Sequence, residues 1–304
     1  MSRAARVLCS VAPFVLLLGA PATGLAQPKP VGWTTTANLS GVLTGGNTAA
    51  LSFGLKARTE RNWLRTQYYL EGGGIRQDAV DKTKYAVGTP DSFTVTELSV
   101  RNKKAENYFG ETGFERRVTE RFFWTVNGGF KRDLFSGVEQ LLSGRAGVGY
   151  YWTDRSAQEL KLGLDATYNH QKEKVPNPDT KENWAGGRLS ADYAVKFGNN
   201  KQSAFTSKLA LDQNLQVSKD FRALWDNALT VSVSRRLALQ LGGKLDFRNL
   251  PALQEVALFA AAPAPGASSN AKVTTPFQKT DVWLTVSFVL NWAPQGPSGD
   301  RPTP

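Results

Sequence analysis

What most limits the folds open to this chain is its side-chain period. From about residue 31 to residue 292, apolar and polar residues alternate, and no sustained 3.6-residue period interrupts them. Ala49, Leu51, Phe53, Leu55 and Ala57 share one face while Ala50, Ser52, Gly54, Lys56 and Arg58 share the other. Leu142–Trp152 repeats the pattern, as do Leu160–Asn169 and Asp281–Trp292. The sequence therefore predicts an all-β protein of twelve strands, at 31–44, 48–60, 63–75, 103–118, 122–132, 141–152, 157–171, 183–197, 202–212, 221–233, 237–248 and 279–292. Most of these reach the ~9–11 residues that a tilted strand needs to cross a bilayer.

The joins between segments sort by parity. The second, fourth, sixth, eighth and tenth are tight, beginning with Arg61-Asn62 and Thr119–Arg121. The others are long and polar (76–102, 133–140, 172–182, 213–220 and 249–278), except a short first join at Gly45-Gly46-Asn47. Short turns on one rim, long loops on the other and an even strand number describe a closed antiparallel transmembrane β-barrel. A soluble sandwich has no reason to sort its loops this way. Loop 249–278 carries a low-complexity Ala/Pro run, Ala260–Asn270, and is expected to be a mobile external loop; folding inward as a constriction is the alternative.

The two faces decide between lipid and water outside. The polar face carries Lys56, Arg58, Arg65, Glu71, Glu111, Glu115, Arg145, Lys161, Asp165, Arg188, Asp192, Lys208, Asp212, Asp226, Lys244 and Asp246, which are the candidates for lining a lumen. Arg117, Lys131, Glu159, Lys196 and Asp281 extend the set to eleven cations and ten anions. The same list could describe the solvated exterior of a soluble β-protein. Against that, glycines such as Gly54, Gly113, Gly147, Gly149 and Gly163 are scattered along the charged face, as a narrow lumen needs. Trp33, Trp63, Trp124, Trp152 and Trp292 all fall at the short-turn rim, as in a girdle at a membrane interface. In hydrocarbon every backbone group must be paired, so strands that cross it must close into a ring.

Composition then excludes other classes. No run of 18 apolar residues follows position 25, which excludes a helical membrane protein. One Cys and one His leave no material for a disulfide framework or a metal site, and no cofactor is expected. The formal charge of +11 invites nucleic acid, but export and alternation account for the basic residues better. Met1–Ala26 has the layout of a cleavable signal peptide, with Arg3 and Arg6, an apolar stretch at Val11–Leu18, and Gly24 and Ala26 before the cut. Cleavage would remove the only cysteine, Cys9, and two of the eleven charges, leaving +9. The expected domains are the signal peptide 1–26, the barrel 27–292 and a flexible tail 293–304.

Mixed charges in a confined lumen tend to pair, because an unpaired one is costly to desolvate, whereas a selective pore shows a ring of one sign. A partly obstructed, weakly selective interior is expected, open to small polar solutes, in a monomer that meets outer-membrane lipids and lipopolysaccharide. A blocked barrel acting through its external loops is the alternative. Enzymatic activity is not expected. No Gly-x-Ser-x-Gly elbow, phosphate loop or dinucleotide fingerprint occurs. His170 shares the face of Leu164, Ala166 and Tyr168, and an interface residue is a better reading of it than the base of a phospholipase.

Three stretches carry a family likeness: Leu39–Thr48, a small-residue strand ending in Gly-Asn-Thr; Phe130–Gly137, an aromatic-Lys-Arg-Asp-Leu-aromatic-Ser-Gly segment; and Gly147-Val148-Gly149-Tyr150. With the surrounding run 104–172 they resemble the YdiY-like family of outer-membrane proteins described as salt-induced. The resemblance implies a β-rich protein of the Gram-negative outer membrane, linked to salt or osmotic stress, with no catalytic residues to carry over. The Ala/Pro loop and the tail after Trp292 depart from that pattern.

Overall fold

The structure, a computed structural model, describes residues 31–45, 50–134, 136–198, 202–234, 236–261 and 269–292. The signal segment, the tail, the Gly46-Asn47 join and residues 262–268 of the Ala/Pro run lie outside the described residues.

Fourteen strands form one sheet: β1 (Gly32–Gly45), β2 (Ala50–Asn62), β3 (Thr66–Thr89), β4 (Ser92–Arg117), β5 (Phe122–Asp133), β6 (Val138–Arg155), β7 (Gln158–Glu173), β8 (Asn183–Phe197), β9 (Ser203–Asn214), β10 (Phe221–Ser232), β11 (Leu237–Arg248), β12 (Leu253–Phe259), β13 (Lys272–Pro276) and β14 (Thr280–Trp292). Antiparallel pairing runs from β1 to β11 in order, then β11 to β14 and β14 back to β1. Twelve strands thus close into a barrel with no free edge. They match the twelve predicted segments, with ends displaced by a few residues except at β3 and β4.

The register shows what the alternation specifies. Leu55, Leu39, Phe288, Leu239 and Val231 are directly opposed across five adjacent strands and are all exposed. Leu164, Val286 and Leu284 are likewise more than half exposed. The barrel interior is polar by contrast. The buried apolar cluster among the described residues lies above the barrel, where Ala86, Val256 and Leu258 pack with Val273. This is the inverse of a soluble barrel, whose apolar face fills the inside.

Two long-loop expectations need correction. Segment 76–102 is strand, not loop: β3 and β4 stay paired to Thr89 and Ser92 around a two-residue turn, with one bulge at Ala79/Val80. The hairpin runs thirteen residues past the last β2 contact at Arg76, about 40 Å along the strand. It stands clear of the barrel, so no lipid–lumen alternation marks it, and its backbone pairing carries it outward. Segment 249–278 also carries strand among its described residues. Its β12–β13 hairpin adds to the edge of β3, with Ala257–Phe259 running parallel to Tyr85–Val87. Tyr85 meets Phe259 edge-on at 6.0 Å. At its base Ala252 is buried, Phe277 N–H donates to Ala252 O at 2.9 Å, and the Phe277 ring lies against Gly137. Gly137 adopts φ +76°, so a larger residue there would be strained as well as crowded. The Ala/Pro composition pointed to disorder, while Val256, Leu258 and Val273 find their apolar partner in a distant strand.

Candidate lumen site

Even positions of β8–β11 point inward, and the ladder sets them opposite one another. One row reads Lys161, Asp192, Lys208, Asp226, Lys244 across β7–β11. A second reads Asp165, Arg188, Asp212, Arg222, Arg248 on the same strands. Opposite charges directly across a ladder favour that register, and like charges disfavour it. The rows differ in how tightly they engage. Arg188 and Asp212 form a two-pronged pair at 2.7 Å for both bonds, the fork geometry that suits guanidinium to carboxylate. Lys208 remains exposed.

Across the barrel, β2–β6 build a denser network. Glu71 accepts from Lys56 at 2.8 Å and from Arg58 at 3.2 Å. Glu111 accepts from Arg145 and from the Tyr69 hydroxyl, both at 2.5 Å. The Arg58 guanidinium stacks 4.2 Å from the Tyr69 ring centre. Tyr69 also reaches to 3.0 Å from Asn127 Oδ1, passing over Gly113, where any Cβ would overlap both groups.

Toward the short turns the lumen is filled on this side. Glu115 accepts from Lys161 at 2.6 Å and from the buried Tyr151 hydroxyl at 2.5 Å. Arg117 stacks on Tyr151 and pairs with Asp154. Phe123 closes the cluster under Lys161. Toward the long loops lies a cavity of about 500 Å³, whose wall includes Lys56, Glu71, Glu111, Arg145, Arg188, Asp212, Asp226, Lys244 and Asp246. Pro251, Ala252 and Phe277 from the β11–β14 connection narrow its mouth.

Arg58, Glu115, Lys161, Asp165, Asp192 and Lys208 face the same lumen nearer the short turns, outside that cavity. Arg65 is exposed in the Trp63–Arg65 turn at the short-turn rim, where its carbonyl accepts from Arg117 N–H and it lines a small recess together with Glu115, Arg117 and Tyr151. The chain reverses there before β3 begins at Thr66, so the alternation cannot be carried through it. Trp33, Trp63, Trp124, Trp152 and Trp292 stand at the short-turn ends, each 36–50 % exposed. His170 Nδ1 lies 2.9 Å from Asn183 Oδ1. No cluster of three or more His, Cys, Asp or Glu suited to a metal occurs among the described residues.

A mouth cluster escaped the sequence reading. Arg222 donates to Asp220 at 2.8 and 3.0 Å and to Gln171 at 2.8 Å, while Arg248 pairs with Glu173 at 2.5 Å. Arg222 also lies 4.8 Å from the ring of buried Trp184, and Lys244 sits equally close to Trp283. Arg222 and Arg248 share the parity of Asp226 and Asp246, so continuing the period by one or two steps would have found them. Asp220 and Glu173 lie at strand ends, where periodicity gives no signal. Burial pushes the Asp220 carboxyl up, but the bonds and charge of Arg222, with Arg248 and Asn214, outweigh this and hold it below its ordinary value.

The family pattern described as "Protein of unknown function, DUF481" matches residues 37–255. No curated protein matches the sequence. Among solved structures, a NanC porin shares 6 % identity at a TM-score of 0.47, covering 84 % of this chain and 98 % of that one. The anion-selective porin from Comamonas acidovorans shares 8 % at 0.34, covering 86 % and 99 %. The toluene transporter TodX of Pseudomonas putida shares 9 % at 0.35, covering 88 % and 92 %. At these scores the likenesses add nothing to what the strand pairing shows.

Proposed function

Since the chain belongs to the family described as protein of unknown function DUF481, which brings no activity with it, we propose from the geometry that it is an outer-membrane barrel serving as a narrow, weakly selective route for small polar solutes. The observation that carries this reading is the inversion of the barrel: an exposed apolar belt outside and opposed charges across a water-accessible lumen. Soluble monomers rarely expose contiguous apolar surface beyond a few hundred Å², whereas a barrel in lipid requires it. The chain reaches that membrane after cleavage of its signal segment, with the short turns on the periplasmic side. Its connection to salt or osmotic stress rests on the family resemblance alone.

The lumen accounts for both the narrowness and the weak preference. Lys56–Glu71, Arg145–Glu111 and Arg188–Asp212 neutralise one another within the cavity wall. A passing ion therefore meets dipoles of both signs rather than a ring of one. Small solutes would travel beside β8–β11, where Ser190, Thr206 and Ala228 leave more room than Tyr69, Phe123 and Tyr151 do opposite. In planar bilayers the purified protein is expected to give a small conductance with a reversal potential near zero in a salt gradient. A large, steeply selective current would overturn the reading.

A second reading is favoured by the Glu115–Lys161–Tyr151–Phe123 cluster near the periplasmic end. If that cluster seals the lumen, the barrel is a cup whose 500 Å³ cavity binds a ligand entering between the long loops. Absence of any conductance by folded protein would select it.

A further inference from the structure

The surplus positive charge of the chain collects on one rim. Arg61, Arg65, Arg116, Arg121, Arg155 and Arg236 are all exposed at the short-turn end. Among the described residues of those turns, Glu120 is the one exposed acid. The opposite rim mixes signs, as Lys174, Asp179, Lys181 and Glu182 do in one connection.

Two of these arginines occupy an unusual place. Arg61 and Arg116 stand on the outward parity of β2 and β4, the same face that carries the apolar belt. Each lies directly across the ladder from a girdle tryptophan: Arg61 from Trp33, and Arg116 from Trp124. The Arg61 guanidinium sits between two indoles, 5.4 Å from Trp33 and 4.8 Å from Trp63. Neither arginine forms an ion pair among the described residues. A cation on the lipid-facing side of a barrel is tolerated near the interface and costly further in. Indole rings prefer the headgroup level. A guanidinium held by aromatic faces at that level presents its free edge to whatever anion the headgroup layer supplies.

We propose that the Trp33–Arg61–Trp63 cage and the Arg116–Trp124 pair are binding sites for the phosphodiester of an anionic glycerophospholipid in the leaflet facing the short turns. The planar fork of arginine matches two phosphate oxygens at once, the indoles pack on glycerol and the upper acyl chain, and the net negative headgroup complements a rim almost without acids. This inference rests on the reading of the chain as a membrane barrel.

Native mass spectrometry of the purified protein, released from detergent after exchange with phosphatidylglycerol or phosphatidylcholine, tests it. Phosphatidylglycerol is expected to be retained about five-fold better, the factor that one interfacial arginine supplies. Arg61→Gln and Arg116→Gln should each abolish that five-fold preference at its own site and leave it at the other, so that each single variant preferentially retains one phosphatidylglycerol fewer, and the double variant should bring the two lipids level. Arg61→Lys, which keeps the charge and loses the fork, should fall between wild type and Arg61→Gln. Equal retention of both lipids by wild type would overturn the proposal, as would unchanged preference in the double variant. Preferential retention of lipopolysaccharide, or loss of lipid on adding inorganic phosphate, would do the same. Heat-shifted electrophoretic migration of each variant shows separately whether the barrel has formed, so a failure of the membrane-barrel reading is told apart from a failure of these sites.

Discussion

Gly113 shows how a single residue decides what a charged lumen can contain. Its inward position on β4 faces Tyr69 on one neighbour and Asn127 on the other. A Cβ there would run into the Tyr69 ring and Asn127 Oδ1. The glycine is what lets Tyr69 lie across three strands, support Arg58 with its ring and donate to Glu111. Gly113→Ala is therefore expected to displace Tyr69 and destabilise the barrel by about 1–3 kcal/mol, the usual cost of overpacking a filled site. Gly110 lies three residues earlier on the outward parity, and a Cβ there meets nothing within 4 Å. Gly110→Ala should be close to neutral. Urea unfolding of the two variants in lipid vesicles makes the comparison, and equal midpoints would show that Tyr69 yields without cost.

At the scale of elements, the β9–β10 and β11–β14 connections are joined to the barrel mouth by charge. Asp220 is 2 % exposed, accepts from Arg222 and Asn214, and lies 3.8 Å from Arg248. Its folded value sits below the ordinary 3.8, so deprotonation is favoured by folding. The stability this contributes is complete above the ordinary value and is lost as pH falls through the lower, folded one. Wild type should thus lose stability more steeply than Asp220→Asn below roughly pH 4, with the difference read from unfolding midpoints along an acid series. Parallel curves would mean that the arginines are satisfied by Glu173 and Gln171 alone. The same elements mark the limit of what sequence shows. Twelve barrel strands are legible because each must separate lipid from lumen at every second residue. The outer parts of β3 and β4, and the β12–β13 hairpin, stand outside that demand and carry no such signature. Alternation also tells which way Arg188 points but not that Asp212 receives it, because partnership depends on register between strands.

For the whole molecule, the distribution of bulk around the lumen matters more than its net charge. One wall, β2 to β7, carries Arg58, Tyr69, Phe123, Tyr151, Glu115 and Lys161 in a bonded mass. The other, β8 to β1, presents Ser190, Thr206, Ala228 and Thr230, with Lys208 standing exposed among them. On the channel reading, a passage through such a barrel would run off its axis, beside these small residues. Thiol modification can trace it, because the one native cysteine, Cys9, lies far from the lumen strands in sequence and within the segment expected to be cleaved. Thr206→Cys on β9 and Thr125→Cys on β5 both point inward. Thr206 faces Ala228 and Ala194 across its ladders, whereas Thr125 sits between Glu115 and Gly147 and accepts a hydrogen bond from Asn127 at 2.8 Å. A small charged methanethiosulfonate is expected to react with Thr206→Cys at least ten-fold faster, a difference equivalent to about 1.4 kcal/mol of access, and to reduce the current as it does so. Equal rates at the two positions would place the passage on the axis. Reaction at Thr206→Cys without any change in current would put the seal at the Glu115–Lys161 cluster and make the cavity a closed cup.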